Sequence, residues 1–157
     1  MNTPQAHLVD DDEAIRDALA WLLKSRDIPC TTYNCAEAFL AAWTPKLAGC
    51  VILDMGMPGM SGLDCFDALG ERQSTLPVIF LTGHGDVPLA VSTLKKGAFD
   101  FFEKPFNDND LATRVEEAMA LDAGQRAASA TVDSVNSRLS TLTTRERMWI
   151  LLPEGTA

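Results

Sequence analysis

Five short apolar runs, each followed by a stretch of helical periodicity, constrain this chain more than any other feature of it. The runs are His7-Leu8-Val9, residues 28–33, Cys50-Val51-Ile52-Leu53, Val78-Ile79-Phe80-Leu81 and residues 99–102. Alternation of this kind is the pattern of parallel strands joined by crossover helices. The runs at Cys50 and Val78 are apolar at every position, which suits strands covered by helices on both faces.

Between the runs, Ile15, Ala18, Leu19 and Leu22 recur at i, i+3, i+4 and i+7, as do Ala36, Phe39, Leu40 and Trp43. Both stretches predict amphipathic helices. Ser61-Gly62-Leu63-Asp64 offers a capping-box start for a third. Asp86 and Pro88 open a fourth, with Val87, Ala90, Val91 and Leu94 on its apolar side and Gly97 at its end. Asn107 caps a fifth, with an apolar side of Leu111, Val115 and Ala118. These elements predict an α/β fold: a flavodoxin-like, doubly wound, five-stranded parallel sheet of order 2-1-3-4-5 with five helices, followed by a C-terminal linker helix.

Composition narrows the function classes. A chain of 157 residues has room for one packed core and a short appendage. A net charge of −9 argues against a broad electrostatic footprint for nucleic acid or anionic lipid. Cys30, Cys35, Cys50 and Cys65 form no C-x-x-C pair, so zinc is not expected and the thiols read as small apolar residues in a reducing cytoplasm. No signal peptide or membrane span is recognisable, and the chain is placed in the cytoplasm with no membrane partner.

In a doubly wound sheet the functional crevice lies beyond the carboxyl ends of the strands. There the chain carries Asp10-Asp11-Asp12-Glu13 after strand 1, Asp54 after strand 3, Thr82 after strand 4 and Lys104-Pro105 after strand 5. Singly, such residues are ordinary: an acidic cluster before a helix commonly caps it, and a Thr in a strand commonly packs. Gathered at one rim, the carboxylates repel one another unless a divalent cation or protonation offsets the repulsion, and Mg²⁺ suits such oxygen ligands. Phosphoryl transfer to a carboxylate needs a nucleophile, neutralisation of the moving oxygens, and donors that hold the product. Asp54 is the candidate nucleophile, Asp11 and Asp10 the candidate metal ligands, and Lys104 and Thr82 the candidate donors.

These residues also fall in motifs. Leu8-Val9-Asp10-Asp11-Asp12-Glu13 through Arg16, Leu53-Asp54-Met55-Gly56-Met57-Pro58-Gly59-Met60-Ser61-Gly62, Leu81-Thr82-Gly83-His84-Gly85-Asp86-Val87-Pro88, Lys96-Gly97-Ala98 and Phe102-Glu103-Lys104-Pro105-Phe106 together resemble the receiver domains of bacterial two-component response regulators. The run from Thr82 to Pro88 resembles the FixJ branch, whose output domains are of the LuxR helix-turn-helix type.

The resemblance implies that Asp54 accepts phosphate from a sensor histidine kinase, and that Mg²⁺ is held by Asp10, Asp11, Asp54 and the carbonyl of Gly56. It implies that Thr82 and Lys104 read the phosphoryl group while Phe101 acts as the switch aromatic. The surface of the fourth helix and fifth strand would then control homodimerisation and transcriptional output. Pro58, Gly62, Gly83, His84 and Pro105 are loop candidates around the site; His84 has no base or nucleophile beside it in sequence and reads as a conformational or surface residue. Two departures from the family pattern stand out. Gly56 is smaller than many members carry there, which bears on phosphoryl lifetime, and Asp12 is a third acid where two are usual.

The implied organisation is a receiver domain over residues 1–122, a helical linker over 123–141, and the start of a LuxR-type helix-turn-helix over 142–157. Ala128, Val132, Val135, Leu139 and Leu142 make a heptad-like stripe along the linker. Leu142-Thr143-Thr144-Arg145-Glu146-Arg147 resembles the opening of the DNA-binding domain, but no recognition helix follows, so DNA contact requires a helix-turn-helix not complete here. A stand-alone receiver acting by protein contact is the nearest alternative. A Mg²⁺-dependent aspartyl-phosphate hydrolase is disfavoured because Gly56 stands where its general acid belongs. A flavin or nucleotide binder is disfavoured because no glycine-rich loop follows strand 1.

Overall fold

A computed structural model of the chain describes residues 3–83 and 86–138, the last ten of these as helical backbone alone. Strands and helices alternate strictly: β1 (Gln5–Val9), α1 (Glu13–Ser25), β2 (Cys30–Tyr33), α2 (Ala36–Ala42), β3 (Gly49–Asp54), α3 (Gly62–Glu71), β4 (Val78–Thr82), α4 (Val87–Lys95), β5 (Asp100–Glu103) and α5 (Asp108–Arg138). All pairings are parallel and the sheet order is β2-β1-β3-β4-β5, the flavodoxin-like arrangement expected from the alternation.

The register places the strand tips side by side. Val9 lies between Tyr33 and Leu53, Asp54 is opposite Leu81, and Thr82 is opposite Glu103. Asp10, Asp54, Thr82 and Lys104 therefore emerge along one rim. The sheet is covered on both sides, as the unbroken apolar runs require. One face packs Val51, Leu53 and Phe80 against Phe39 of α2, Cys65 of α3 and Ala90 of α4. The other packs Leu8, Ile52 and Ile79 against Leu19 and Leu23 of α1 and Leu111, Val115 and Ala118 of α5. Each Val, Leu, Ile or Phe among these, fully buried, contributes roughly 1.5–3 kcal/mol of transfer free energy.

Local chemistry sets the helix starts. Asp12 caps α1 by accepting the Ala14 N–H at 2.9 Å, which gives this third acid a structural place. Ser61 and Asp64 form a reciprocal capping box on α3, Pro88 occupies the first turn of α4, and Asn107 accepts the Asp110 N–H at 3.0 Å at the head of α5.

Three sequence expectations are corrected. The buried side of α1 runs through Leu19 and Leu23, while Ala18 is exposed. Helix α4 packs through Ala90 and Thr93, and leaves Val91 (41% exposed) and Leu94 (37%) facing outward with Leu89. Thr93 can replace an aliphatic residue because its hydroxyl donates to the Ala90 carbonyl at 2.5 Å, satisfying it inside the core. Strand β2 starts at Cys30; Ile28 is buried but precedes the strand.

Cys50 and Cys65 are buried and Cys30 and Cys35 half-buried, all as free thiols. Among the described residues no helix is long and apolar enough to cross a membrane. The chain divides into two units between Ala123 and Gly124. His84 and the segment from Leu139 onward, including the 142–157 stretch, lie outside the described residues.

Candidate functional site

Strand β1 delivers Asp10 in full burial, and β3 delivers Asp54 with its side chain 10% exposed. Asp11 follows on an exposed bend. One carboxylate oxygen from each of the three lies within 4.8 Å of the others. Lys104, leaving β5, sets its Nζ 3.3 Å from Asp10 Oδ2 and 3.5 Å from Asp54 Oδ1. These are long ion-pair distances, so the ammonium is shared between two carboxylates.

The other contacts hold the acids in place. Asp10 Oδ1 accepts the Asp12 N–H at 2.9 Å, and its carbonyl accepts Arg16 Nη1 at 2.8 Å. Asp54 Oδ1 accepts the Gly56 N–H at 3.3 Å. Burial pushes the Asp54 carboxyl up to about 6, with the Asp10 carboxylate adding to the rise and Lys104 and the Gly56 N–H opposing it. Burial alone would lower the Lys104 ammonium, but Asp54 and Asp10 outweigh it and hold the group above its ordinary value. One lysine thus pairs with two of the three carboxylates.

That donor set fits a hard divalent cation. It consists wholly of oxygens, it carries excess negative charge, and Asp11 and Asp54 remain reachable from solvent. Asp54 is the carboxylate best placed for nucleophilic work, since it ends the central strand and is reached by the ammonium from one side.

The loops around the pocket account for several sequence candidates. Gly62 is required by close approach: its N–H donates to the Met55 carbonyl at 3.2 Å, and a Cβ there would lie 2.3 Å from the Asp54 carbonyl oxygen. Gly56 is exposed, and a Cβ on it would meet nothing within 4 Å. Pro58 is exposed between buried Met57 and half-buried Met60. Thr82 is fully buried, and its hydroxyl donates to the Gly83 carbonyl at 3.3 Å. Gly83 is half-buried at the start of the following loop. Pro105 follows Lys104 through a cis peptide bond. Phe101, opposite Phe80 in the register, is half-buried against the α4-side core.

Asp10, Asp11, Asp54 and Lys104 are therefore brought together, with Gly56 in the turn after β3, Thr82 at the end of β4, and Phe101 on the sheet face behind. Sequence reading gave no role to Arg16, which the structure ties to the acidic loop. A signal was present: a cation near a helix N-terminus opposes the helix dipole, so its placement calls for another partner.

Comparison with known proteins gives the chain a family. Residues 6–116 match the family described as response regulator receiver domain. The C4-dicarboxylate transport transcriptional regulatory protein DctR of Rhodobacter capsulatus is 48% identical over 134 residues, covering 84% of this chain and 68% of that protein. The transcriptional regulatory protein FixJ of Azorhizobium caulinodans is 43% identical, covering 90% of this chain and 67% of its own length. Among solved structures, the response regulator StyR superposes with a TM-score of 0.83 at 36% identity, covering 99% of this chain and 79% of that one. Full-length FixJ from B. japonicum gives 0.73 at 39%, covering 94% and 72%. The chain belongs to the response regulator receiver domain family of two-component systems, and its relatives are FixJ- and DctR-type transcriptional regulators.

Proposed function

We propose that the domain is a phosphorylation switch in which Asp54 accepts a phosphoryl group from a sensor histidine kinase. An Asp54 carboxylate oxygen forms the new bond to phosphorus, the bond from phosphorus to the kinase imidazole nitrogen breaks, and that nitrogen keeps the electron pair. The observation that carries this reading is the rim pocket in which Asp10, Asp11 and Asp54 meet with one shared ammonium. Asp10, Asp11, Asp54 and the Gly56 carbonyl would hold Mg²⁺, which neutralises charge on phosphoryl oxygens. Lys104 attracts the transferring group and then pairs with the phosphoaspartate, while the Thr82 hydroxyl exchanges its Gly83 partner for a phosphoryl oxygen.

Output follows from packing. Phe101 is only half-buried against the core, and we assign it an inward move when the Thr82 hydroxyl turns. The neighbouring α4 surface exposes Leu89, Val91 and Leu94, more apolar area than a helix facing water needs. We assign this α4-β5 face to homodimerisation upon phosphorylation, and thereby to control of transcription. We assign residues 1–122 to the receiver and 123–141 to the linker. The motif at 142–147 resembles the opening of a LuxR-type output domain, to which DNA contact would belong.

Intact-mass analysis after incubation with Mg²⁺ and acetyl phosphate tests the reading. One phosphoryl adduct is expected on the wild-type chain and none on Asp54→Asn or without Mg²⁺. Beryllofluoride binding distinguishes a short-lived adduct from no chemistry, and failure of both would reject the switch.

A further inference from the structure

Among the described groups beside the site, Arg16 has no part in the metal or phosphoryl chemistry. It stands on the first turns of α1, half-buried, and its Nη1 reaches back to donate to the Asp10 carbonyl at 2.8 Å. Asp10 is otherwise held on every side. Its N–H donates to Tyr33 O at 3.1 Å, Oδ1 accepts from Asp12 N at 2.9 Å, and Oδ2 faces Lys104 at 3.3 Å. The carbonyl is the group left to fix, and it opens the Asp10–Asp11 peptide, whose rotation decides where the Asp11 carboxylate projects. Capping by Asp12 anchors the far end of the same turn.

We propose that Arg16 is a positioning residue for the metal-binding loop: its guanidinium clamps the Asp10–Asp11 peptide so that both carboxylates converge with Asp54. The inference rests on the Mg²⁺ reading above. It makes a prediction whose sign separates it from plain electrostatics. A guanidinium near a divalent cation repels it, so if Arg16 acted only as a charge its removal would tighten Mg²⁺ binding. If it acts as a clamp, removal weakens binding, since groups that orient metal ligands are commonly worth ten- to a hundredfold in affinity.

Calorimetric titration of MgCl₂ into the full chain at fixed ionic strength reads this directly, on wild type, Arg16→Met, Arg16→Lys and Asp54→Asn, each checked for folding by circular dichroism. Arg16→Met is expected to bind Mg²⁺ about tenfold more weakly. Arg16→Lys keeps the charge but replaces a planar fork with a flexible point donor, and is expected to fall between. Affinity equal to or tighter than wild type in folded Arg16→Met overturns the clamp. Should Arg16→Met not fold, the lysine variant decides: weakened binding upholds the clamp and unchanged binding overturns it. A wild-type chain that binds no Mg²⁺, or binds it as well after Asp54→Asn, rejects the metal site itself and the clamp with it.

Discussion

The two ends of the sheet both bury polar groups, yet in opposite ways. At the carboxyl end, three carboxylates converge and one ammonium pairs with two of them, Asp10 and Asp54. At the amino end, the single peptide unit between Ala48 and Gly49 is gripped from both faces. Its carbonyl sits 3.1 Å from His7 Nε2, and its N–H donates to Asp122 Oδ2 of α5 at 2.9 Å. Gly49 adopts φ +118°, and a Cβ there would collide with the Gln5 backbone. The amino end fixes one backbone peptide through two side chains, with His7 Nδ1 buried without a hydrogen-bond partner among the described residues, and is scaffold; the carboxyl end gathers like charge that a bound cation or protonation relieves. Convergence of like charge rather than buried polarity is what marks the candidate site's end.

Substitutions at the two ends should break in different currencies. Lys104→Ala is expected to slow phosphorylation by acetyl phosphate about a hundredfold, as loss of a donor to a transferring group does, measured by intact mass against time. A variant as fast as wild type would remove the ammonium from the chemistry. Asp122→Ala should leave that rate unchanged but cost about 1–3 kcal/mol in urea unfolding, because it strands a buried N–H. If phosphorylation slowed instead, the two ends would not be separable.

The smallest effect is the sharpest contrast, because the two ends titrate with opposite sign. Burial and Asp10 raise the Asp54 carboxyl from 3.8 to about 6. The native state therefore holds the proton longer than the unfolded chain, and this group's contribution to stability falls as pH rises from about 4 through about 6. Burial lowers the His7 imidazole below 6.5, against the raising effects of Ala48 and Asp122. Its contribution is fully present above 6.5 and is lost as pH falls below that value. In metal-free buffer, Asp54→Asn should gain stability over wild type toward pH 7 and lose that gain toward pH 4. His7→Leu should instead flatten the acid-side loss. Parallel stability curves for the three proteins would refute both assignments.

Much of the site was legible because its parts are strand tips, and strand tips follow from the apolar runs. Once Leu53-Asp54 and Leu81-Thr82 end parallel strands, neighbouring register brings their side chains together. The faces of α1 and α4 were less legible. Ala18 and Ala90 are the same residue type in similar periodic settings, yet one is exposed and the other buried. Periodicity names a stripe about a helix axis, and only docking decides which edge of it the sheet covers. The contacts of Arg16, which the first motif includes, and of Asp122 were not legible for a related reason: each acts on a backbone group, the Asp10 carbonyl or the Gly49 N–H, which leaves no trace in a side-chain pattern.

The sequence by itself determined the element order, the parallel sheet and the rim residues, since apolar period and parallel crossovers leave few arrangements open. Tertiary structure alone decided how the carboxylates share Lys104, which α4 aliphatics remain outside, and how a buried peptide is held from both faces. Those depend on distances between segments far apart in the chain, and electrostatic and hydrogen-bond energies are functions of distance, not of order along a sequence.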